Sequence, residues 1–269
     1  MSETLPVVAE SQLVLEGGRS AHLVQAGEAG QPVLFLHGYA DSWRSFEPLF
    51  PLLSRHFRLF ALDQRGHGDS DPADGYAIAD FTADAAEVIK QLDLGPVDVV
   101  GHSLGSIVAQ RLAVEHPALV RRLVLIGAAP TAAGHAGLAE LLAELETAGD
   151  PVPAELIEAF QTSTAIQPLA PERLEQILAE SAKLGRGAWL GTAAGLLEEP
   201  PEDGSRVVPA PSLSIWGKED GIFDLDAQTA LARIIPNLTT RHYPGVGHAP
   251  NWEIPETVAQ DILAFLQAA

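Results

Sequence analysis

Short apolar runs alternate with amphipathic stretches along most of this chain. Each run has the length and continuous hydrophobicity that are typical of strands buried on both faces of a parallel sheet. The runs are residues 32–36, 57–62, 97–100, 123–126, 211–217 and 239–243. Apolar residues at helical spacing predict helices over 45–53, 80–92, 104–116, 225–235 and 257–266. This alternation predicts an α/β fold in which helices cover both faces of a mostly parallel sheet.

Two parts of the chain depart from the alternation. Residues 12–16 and 22–25 resemble a pair of short antiparallel strands joined by two glycines. No strand is predicted between Pro130 and Val208, where prolines separate four amphipathic segments. These segments predict helices over 138–145, 154–160, 172–184 and 188–197. Because strands resume afterwards, we interpret 130–208 as a helical insertion, a lid, in one core domain made of 1–129 and 209–269.

The composition limits the classes of partner. The chain has 269 residues, of which 46% are hydrophobic, enough for a sizeable core. Its start lacks the segments of a signal peptide, and nowhere do ~20 apolar residues run unbroken. We therefore expect a soluble, cytoplasmic protein. A formal net charge of −20 disfavours binding to nucleic acid and to anionic membranes.

Cysteine and metal-ligand patterns exclude further chemistry. The chain has no cysteine, which excludes disulfides, a thiol nucleophile and cysteine-ligated metals. No histidine pair or carboxylate cluster has ligand spacing on one predicted face. We therefore expect neither a metal nor another cofactor.

One buried run ends in a serine flanked by glycines. Residues 97–100 are followed by Gly101-His102-Ser103-Leu104-Gly105, a G-x-S-x-G pattern, and then by helical spacing. A strand that turns directly into a helix strains such a serine and raises its hydroxyl above the sheet, and the crowded turn requires glycine on both sides. The pattern alone is weak, because the strand-to-helix turn of a nucleotide-binding fold can match it. In this context it makes Ser103 the candidate nucleophile.

A serine nucleophile needs a base, and the base needs a carboxylate that orients it. His248 follows the last predicted strand and Asp220 follows the strand before it, so both are expected at the sheet edge that carries Ser103. The order serine, aspartate, histidine is that of a nucleophile elbow in a doubly wound sheet. Glu219 and Asp224 are competing acids. The competing histidines lie in loops near the serine, at His37, His67 and His102.

Negative charge that develops on a carbonyl oxygen needs preorganised donors. The backbone N–H of Leu104, at the start of a predicted helix, is one candidate, and the helix dipole assists it. The second candidate is the N–H of Tyr39, in a loop where Gly38 lets the backbone approach. His37 in the same loop is predicted to order the loop rather than to catalyse.

Together these motifs resemble the α/β-hydrolase superfamily, over essentially the whole chain. The matching motifs, in the family's order and spacing, are His37-Gly38, Asp63-Gln64-Arg65-Gly66-His67-Gly68-Asp69-Ser70, Gly101-His102-Ser103-Leu104-Gly105 and Gly247-His248. The resemblance implies an eight-stranded, mostly parallel sheet with a helical lid inserted after the sixth strand. It also favours a structural role for the loop 65–70.

Within the superfamily the chain is most similar to small lidded esterases and lactonases, including enol-lactone and acyl-homoserine-lactone hydrolases. Serine at position 103 separates it from haloalkane dehalogenases and epoxide hydrolases, which carry aspartate there. We therefore predict an enzyme that cleaves a small-molecule carboxylic ester or lactone through an acyl-enzyme on Ser103, as a monomer or homodimer.

The aromatic residues suggest where an acyl group binds. The predicted pocket walls are Trp43, Phe160, Trp189 and Trp252. The alternative is that these rings only join the insertion to the core. Three other functions stay open: a cofactor-free perhydrolase or haloperoxidase, a carbon–carbon bond hydrolase with the same triad, and a small-molecule sensor that retains the triad.

Overall fold

A single eight-stranded sheet organises the chain in the computed structural model, which describes residues 8–201, 203 and 205–268. The strands are β1 (Ala9–Val14), β2 (Ser20–Ala26), β3 (Pro32–Leu36), β4 (Arg58–Leu62), β5 (Val97–His102), β6 (Val120–Ile126), β7 (Ser212–Gly217) and β8 (Leu238–Tyr243). Their order across the sheet is β1-β2-β4-β3-β5-β6-β7-β8. β2 pairs antiparallel with β1 and β4, and the other neighbouring pairs are parallel. The predicted fold class is confirmed.

Helices connect the strands and cover the sheet. They are α1 (Phe50–Leu53), α2 (Ile78–Gln91), α3 (Leu104–Glu115), α4 (Ala136–Thr147), α5 (Ala154–Thr162), α6 (Pro171–Ser181), α7 (Arg186–Glu198), α8 (Leu225–Ile234), α9 (Pro250–Glu253) and α10 (Pro255–Gln267). Short 3-10 segments span Trp43–Leu49 and Pro117–Leu119. The start of the chain, Met1 to Pro6, for which the sequence predicts no signal peptide, lies outside the described residues.

Both faces of the central strands are buried, as their continuous hydrophobicity predicts. Side chains alternate between the two faces of a strand. In β3, Leu34 and Leu36 belong to one apolar cluster, whereas Val33 and Phe35 belong to another. The sheet therefore separates two cores, one on each face.

The parallel strands bring several loops to one edge of the sheet. β3, β5, β6, β7 and β8 run in the same direction, so the loops after their carboxyl ends lie close together. The order of strands reverses around β3, and ligands bind beside such a switch point in open α/β sheets. Ser103, Asp220 and His248 all lie in loops or turns at this edge.

Four helices, α4 to α7, occupy the helical insertion between β6 and β7. The insertion is held to the core through the loop after β3. The Gln161 side-chain amide and the Ser181 hydroxyl both donate to the carbonyl oxygen of Ala40, at 2.8 and 2.7 Å. The Tyr39 hydroxyl donates to the carbonyl oxygen of Trp189 at 2.6 Å. These contacts place the insertion over the carboxyl edge of the sheet.

Within the described ranges, no helix combines the length and the apolar character that crossing a membrane requires.

Candidate active site

Ser103 occupies a strained turn between β5 and α3. Its backbone has φ +50° and ψ −115°, a conformation that costs about 1–3 kcal/mol and is concentrated at functional sites. The turn is crowded, since a Cβ on Gly105 would lie 1.9 Å from the carbonyl oxygen of Leu36 and one on Gly101 would lie 2.3 Å from that of Gly105. Glycine on both sides is therefore a packing requirement, as the sequence pattern predicts.

His248 and Asp220 form a buried pair. Nδ1 of His248 lies 3.0 Å from Oδ2 and 3.1 Å from Oδ1 of Asp220. The backbone N–H groups of Ile222 and Phe223 donate to Oδ1 at 2.8 and 2.9 Å. Burial alone would raise the pKa of Asp220, but the charge of His248 and these hydrogen bonds together hold it below its usual value. The carboxylate therefore stays ionised and fixes the imidazole.

The other ring nitrogen of His248 is free. Nε2 is buried and has no hydrogen-bond partner within the described residues. With Nδ1–H donating to Asp220, Nε2 is the basic nitrogen. Ser103 and His248 line one small cavity together, although no hydrogen bond joins them among the described contacts. Hydrogen bonds of this kind often tighten only when substrate binds.

The competing acids are used elsewhere. One carboxylate oxygen of Glu219 accepts the N–H groups of Gly245 and Val246, at 2.6 and 3.2 Å. Asp224 caps α8 by accepting the N–H of Ala227 at 3.0 Å. Of the three acids only Asp220 contacts His248 in the part of the chain that the structure describes.

Two buried residues beside Ser103 have backbone amides without a partner among the described residues. Leu104 is the first residue of α3, where helix geometry leaves the N–H without an intrahelical acceptor. Tyr39 follows β3 outside any regular element. Neither N–H has an acceptor among the described residues, and both residues line the same cavity as Ser103. The pair can hold an oxyanion on a carbonyl carbon attached to Ser103.

A large cavity of ≈ 260 Å³ opens at Ser103. Helices α4 and α5 supply much of its wall, and no Asp, Glu, Lys or Arg is found among its described lining residues. His135, its one histidine, has both ring nitrogens engaged. Nδ1 accepts the N–H of Leu138 at 3.0 Å, and Nε2 lies 2.9 Å from the carbonyl oxygen of Ile222. The cavity is therefore apolar and carries no fixed charge.

A small cavity of ≈ 30 Å³ also reaches Ser103. Tyr39, Ser103, Phe160 and Ile222 line both spaces, so the two cavities meet at the candidate nucleophile. The additional lining residues of the small cavity include the ionisable side chains Asp41, His102 and His248.

The four predicted pocket residues fall into two groups. Phe160 lines both cavities and Trp252 lines the small one. Trp43 and Trp189 line neither, and the prediction for these two is corrected. Trp43 is 3% exposed in the core below the sheet edge. Trp189 is fully buried behind the wall, with its ring 5.1 Å from that of Tyr39 and 5.5 Å from that of Phe160.

The histidines nearest Ser103 have distinct contacts. His37 accepts the N–H of Gln64 at 3.0 Å, and its Nδ1 lies 2.8 Å from the carbonyl oxygen of Gly38, consistent with the predicted loop-ordering role. His102 Nε2 lies 3.2 Å from the carbonyl oxygen of His248. Burial lowers the pKa of His102 to about 3, so its ring is neutral.

Sequence reasoning missed Asp41 and His102 as cavity residues. Asp41 is 2% exposed and His102 is 3% exposed. Their signal was available, since each lies within two residues of a predicted site residue and is polar where the surroundings predict burial.

One group of potential metal ligands exists among the described residues, away from Ser103. His22, Asp63 and Asp69 have ligand atoms within 4.8 Å of one another. His22 Nδ1 is already 2.8 Å from Asp63 Oδ2, and that oxygen also accepts the N–H of Asp69 at 3.0 Å. The hydrogen bond to Asp63 raises the pKa of His22. These contacts explain the cluster as an ordering device for the loop that follows β4.

Comparison with known proteins agrees with this geometry. The family model of the alpha/beta hydrolase fold matches residues 31–255. The chain therefore belongs to the α/β-hydrolase family and is a hydrolase of that fold.

Individual relatives differ in the activity for which they are named. The 2-(acetamidomethylene)succinate hydrolase of Mesorhizobium japonicum is 32% identical over 262 residues, which cover 93% of each chain. A non-heme chloroperoxidase of Streptomyces lividans is 30% identical over 268 residues, covering 89% of this chain and 92% of the relative. The solved esterase from Exiguobacterium antarcticum shares the fold, with a TM-score of 0.88 at 22% identity over 97% of this chain and 100% of that one.

Proposed function

We propose that the protein hydrolyses an uncharged carboxylic ester or lactone with an apolar acyl group, through an acyl-enzyme on Ser103. The observation that carries this proposal is the large cavity, which opens at Ser103 and has no charged residue in its described lining. An apolar acyl chain loses little when it leaves water for such a space, whereas an unpaired carboxylate loses much.

The site residues have complementary roles in this proposal. Ser103 attacks the substrate carbonyl carbon while Nε2 of His248 takes the hydroxyl proton. Asp220 holds the imidazole in the required tautomer and stabilises its charged form. The N–H groups of Tyr39 and Leu104 hold the oxyanion of the tetrahedral intermediate. His248 then returns the proton to the leaving alcohol.

The neutral cavity separates this proposal from the activities of several relatives. The relative from Mesorhizobium japonicum is named for a substituted succinate, which is a dicarboxylate. A relative from Pseudomonas putida is named for cleavage of a hydroxy-oxo dienedioate, also a dicarboxylate. A site for such a substrate needs a cation against the carboxylate. The described lining of the large cavity supplies none, so we favour ester or lactone cleavage over carbon–carbon bond hydrolysis.

The first test is the loss of activity in Ser103→Ala on p-nitrophenyl butyrate. We expect kcat to fall at least about a thousandfold, because the nucleophile is absent. Ser163→Ala is the matched control: Ser163 lines the same cavity, and its hydroxyl donates to the carbonyl oxygen of Phe160 at 2.7 Å. Retained turnover in Ser103→Ala would refute the assignment.

The second measurement decides the substrate class. p-Nitrophenyl butyrate and the p-nitrophenyl monoester of succinate have acyl chains of equal length but differ in a terminal carboxylate. We expect kcat/KM to favour butyrate by about a hundredfold, since the carboxylate meets no partner in the large cavity. Equal values for the two esters contradict the proposal. A parallel series of lactones distinguishes linear from cyclic substrates, and turnover that is negligible beside tight binding supports the sensor instead.

A further inference from the structure

Three side chains that line the small cavity each carry a polar atom without a partner among the described residues. The atoms are Oδ2 of Asp41, Nδ1 of His102 and Nε2 of His248, and each is buried without a hydrogen bond to any described residue. The three residues are only 2%, 3% and 3% exposed. Since most buried polar atoms in folded proteins are paired, three unpaired ones on residues that line one space point to a polar guest there.

The volume of the small cavity limits the size of that guest. A buried water needs about 10–15 Å³ and two to four polar partners. The small cavity has ≈ 30 Å³ and offers three such partners. One or two waters therefore fit, whereas an alcohol with a carbon chain does not.

The donors and acceptors also match a single water. If Nε2 of His102 donates to the carbonyl oxygen of His248, 3.2 Å away, Nδ1 is left as an acceptor. Nε2 of His248 is an acceptor as well, so one water can donate a proton to each ring. Its oxygen can then accept a hydrogen bond from Asp41 whenever that carboxyl carries a proton. Burial raises the pKa of Asp41, against the opposing effects of His37, the Ser45 hydroxyl and the Ser42 N–H.

We propose that the small cavity is the acceptor site of the enzyme, where Asp41 and His102 position the water that deacylates Ser103 and where lack of space excludes larger nucleophiles. This inference rests on the proposed function, because it concerns the second half of the same reaction. Asp41 and His102 are positioning residues here, and His248 remains the base.

The step balances with water alone. The water oxygen forms a bond to the acyl carbon while His248 Nε2 takes one of its protons. The bond between the acyl carbon and Ser103 Oγ then breaks, and Oγ takes that proton from His248. A carboxylic acid leaves and the serine hydroxyl is restored, with no other reactant.

The test is the partition of one acyl-enzyme between water and methanol. The enzyme is given p-nitrophenyl butyrate in buffer that contains methanol, and methyl butyrate and butyric acid are quantified. Asp41→Ala removes a partner of the water and leaves room for a methyl group. We expect the ratio of ester to acid to rise about tenfold, the effect of losing one well-placed hydrogen bond. Because the ratio does not depend on how much protein is folded, a role of Asp41 in stability alone would not move it.

Asp41→Asn and Ser181→Ala complete the design. Asp41→Asn keeps the size of the side chain and supplies an amide N–H that can donate to the water oxygen, so we expect its partition ratio to stay close to that of the wild type. Ser181→Ala removes a hydroxyl that supports the carbonyl oxygen of Ala40 at 2.7 Å but does not line the small cavity. Its partition ratio should equal that of the wild type.

The outcomes separate the two proposals. An unchanged ratio of methyl butyrate to butyric acid in Asp41→Ala overturns the proposed acceptor site. So does a wild-type enzyme that transfers acyl groups to methanol or hydrogen peroxide as readily as to water at equal molar concentration. Either result leaves the acyl-enzyme on Ser103 intact. If no acyl-enzyme forms at all, no p-nitrophenol is released through Ser103, and the proposed function fails together with the inference.

Discussion

The two cavities beside Ser103 differ in chemistry although they share four lining residues. The large one has no charged residue in its described wall, and its histidine is engaged at both nitrogens. The small one has three buried polar atoms with no protein partner. An acylated serine must accommodate a carbon chain and a water at the same carbonyl. In the proposed reaction the acyl chain and the water would therefore be held by different side chains, and of the two described linings only that of the small cavity contains an acidic residue, Asp41.

Asp220→Asn should have the largest effect, because Asp220 orients His248, which lines the small cavity. An amide at position 220 can donate to His248 Nδ1 and so stabilise the wrong tautomer. We expect kcat on p-nitrophenyl butyrate to fall about 10⁴-fold with little change in KM. Glu219→Gln is the control, since Glu219 contacts the loop at Gly245 rather than the histidine. Equal losses in both variants would remove Asp220 from its proposed role.

Leu141→Arg should remove the difference in charge between the two cavities, because it puts a charged side chain into the lining of the large one. Leu141 lies on α4 and lines the large cavity, where an arginine could pair with a carboxylate on the acyl chain. We expect the hundredfold preference for butyrate over the succinate monoester to fall to about unity, a change of about 2.7 kcal/mol. Leu141→Gln, which is polar but uncharged, should keep most of the preference. A similar loss in both variants would indicate general damage to the cavity.

The smallest predicted effect is on the pH dependence of stability, through His102 in the lining of the small cavity. Burial lowers the pKa of His102 from 6.5 to about 3. Between these values the unfolded chain binds the proton and the folded chain does not, so stability falls as the pH drops below 6.5. We expect the slope of unfolding free energy against pH to be less steep in His102→Gln, by at most about 1.4 kcal/mol per pH unit. Denaturant titrations from pH 7 to pH 4 measure it, and parallel curves contradict the prediction.

The sheet was predictable because its strands are continuous apolar runs of the right length. The observed strand boundaries differ from the predicted ones by a few residues. β1, for example, spans Ala9–Val14, whereas the sequence predicts 12–16. Such shifts are expected where an edge strand is mostly exposed, since its hydrophobic pattern is weak. The turn at Ser103 was predictable as well, because the crowding that requires glycine at 101 and 105 is local.

The pattern predicted that Asp220 and His248 meet at one sheet edge, but it did not decide between neighbouring acids. Asp220 and Glu219 are adjacent acids, and only the folded positions of Gly245 and His248 show which acid contacts which. Trp43 and Trp189 have the aromatic character of pocket walls, but they pack one layer behind the cavities, because burial in a core favours the same side chains. Asp41 was only partly predictable: it lies two residues from Tyr39 in a segment expected to be buried, but a single acid in a loop has no periodic pattern that assigns it to a cavity.

One contact of the insertion has a consequence for engineering. The N–H of His248 donates to the carbonyl oxygen of Thr164 at 2.9 Å, and Thr164 lies just after α5 in the helical insertion. A chimera that replaces residues 130–208 with the corresponding segment of another hydrolase would remove the tether of the imidazole loop along with the old acyl wall. Such a graft must carry an equivalent carbonyl at this point, or it will change turnover even for substrates that the new wall accepts.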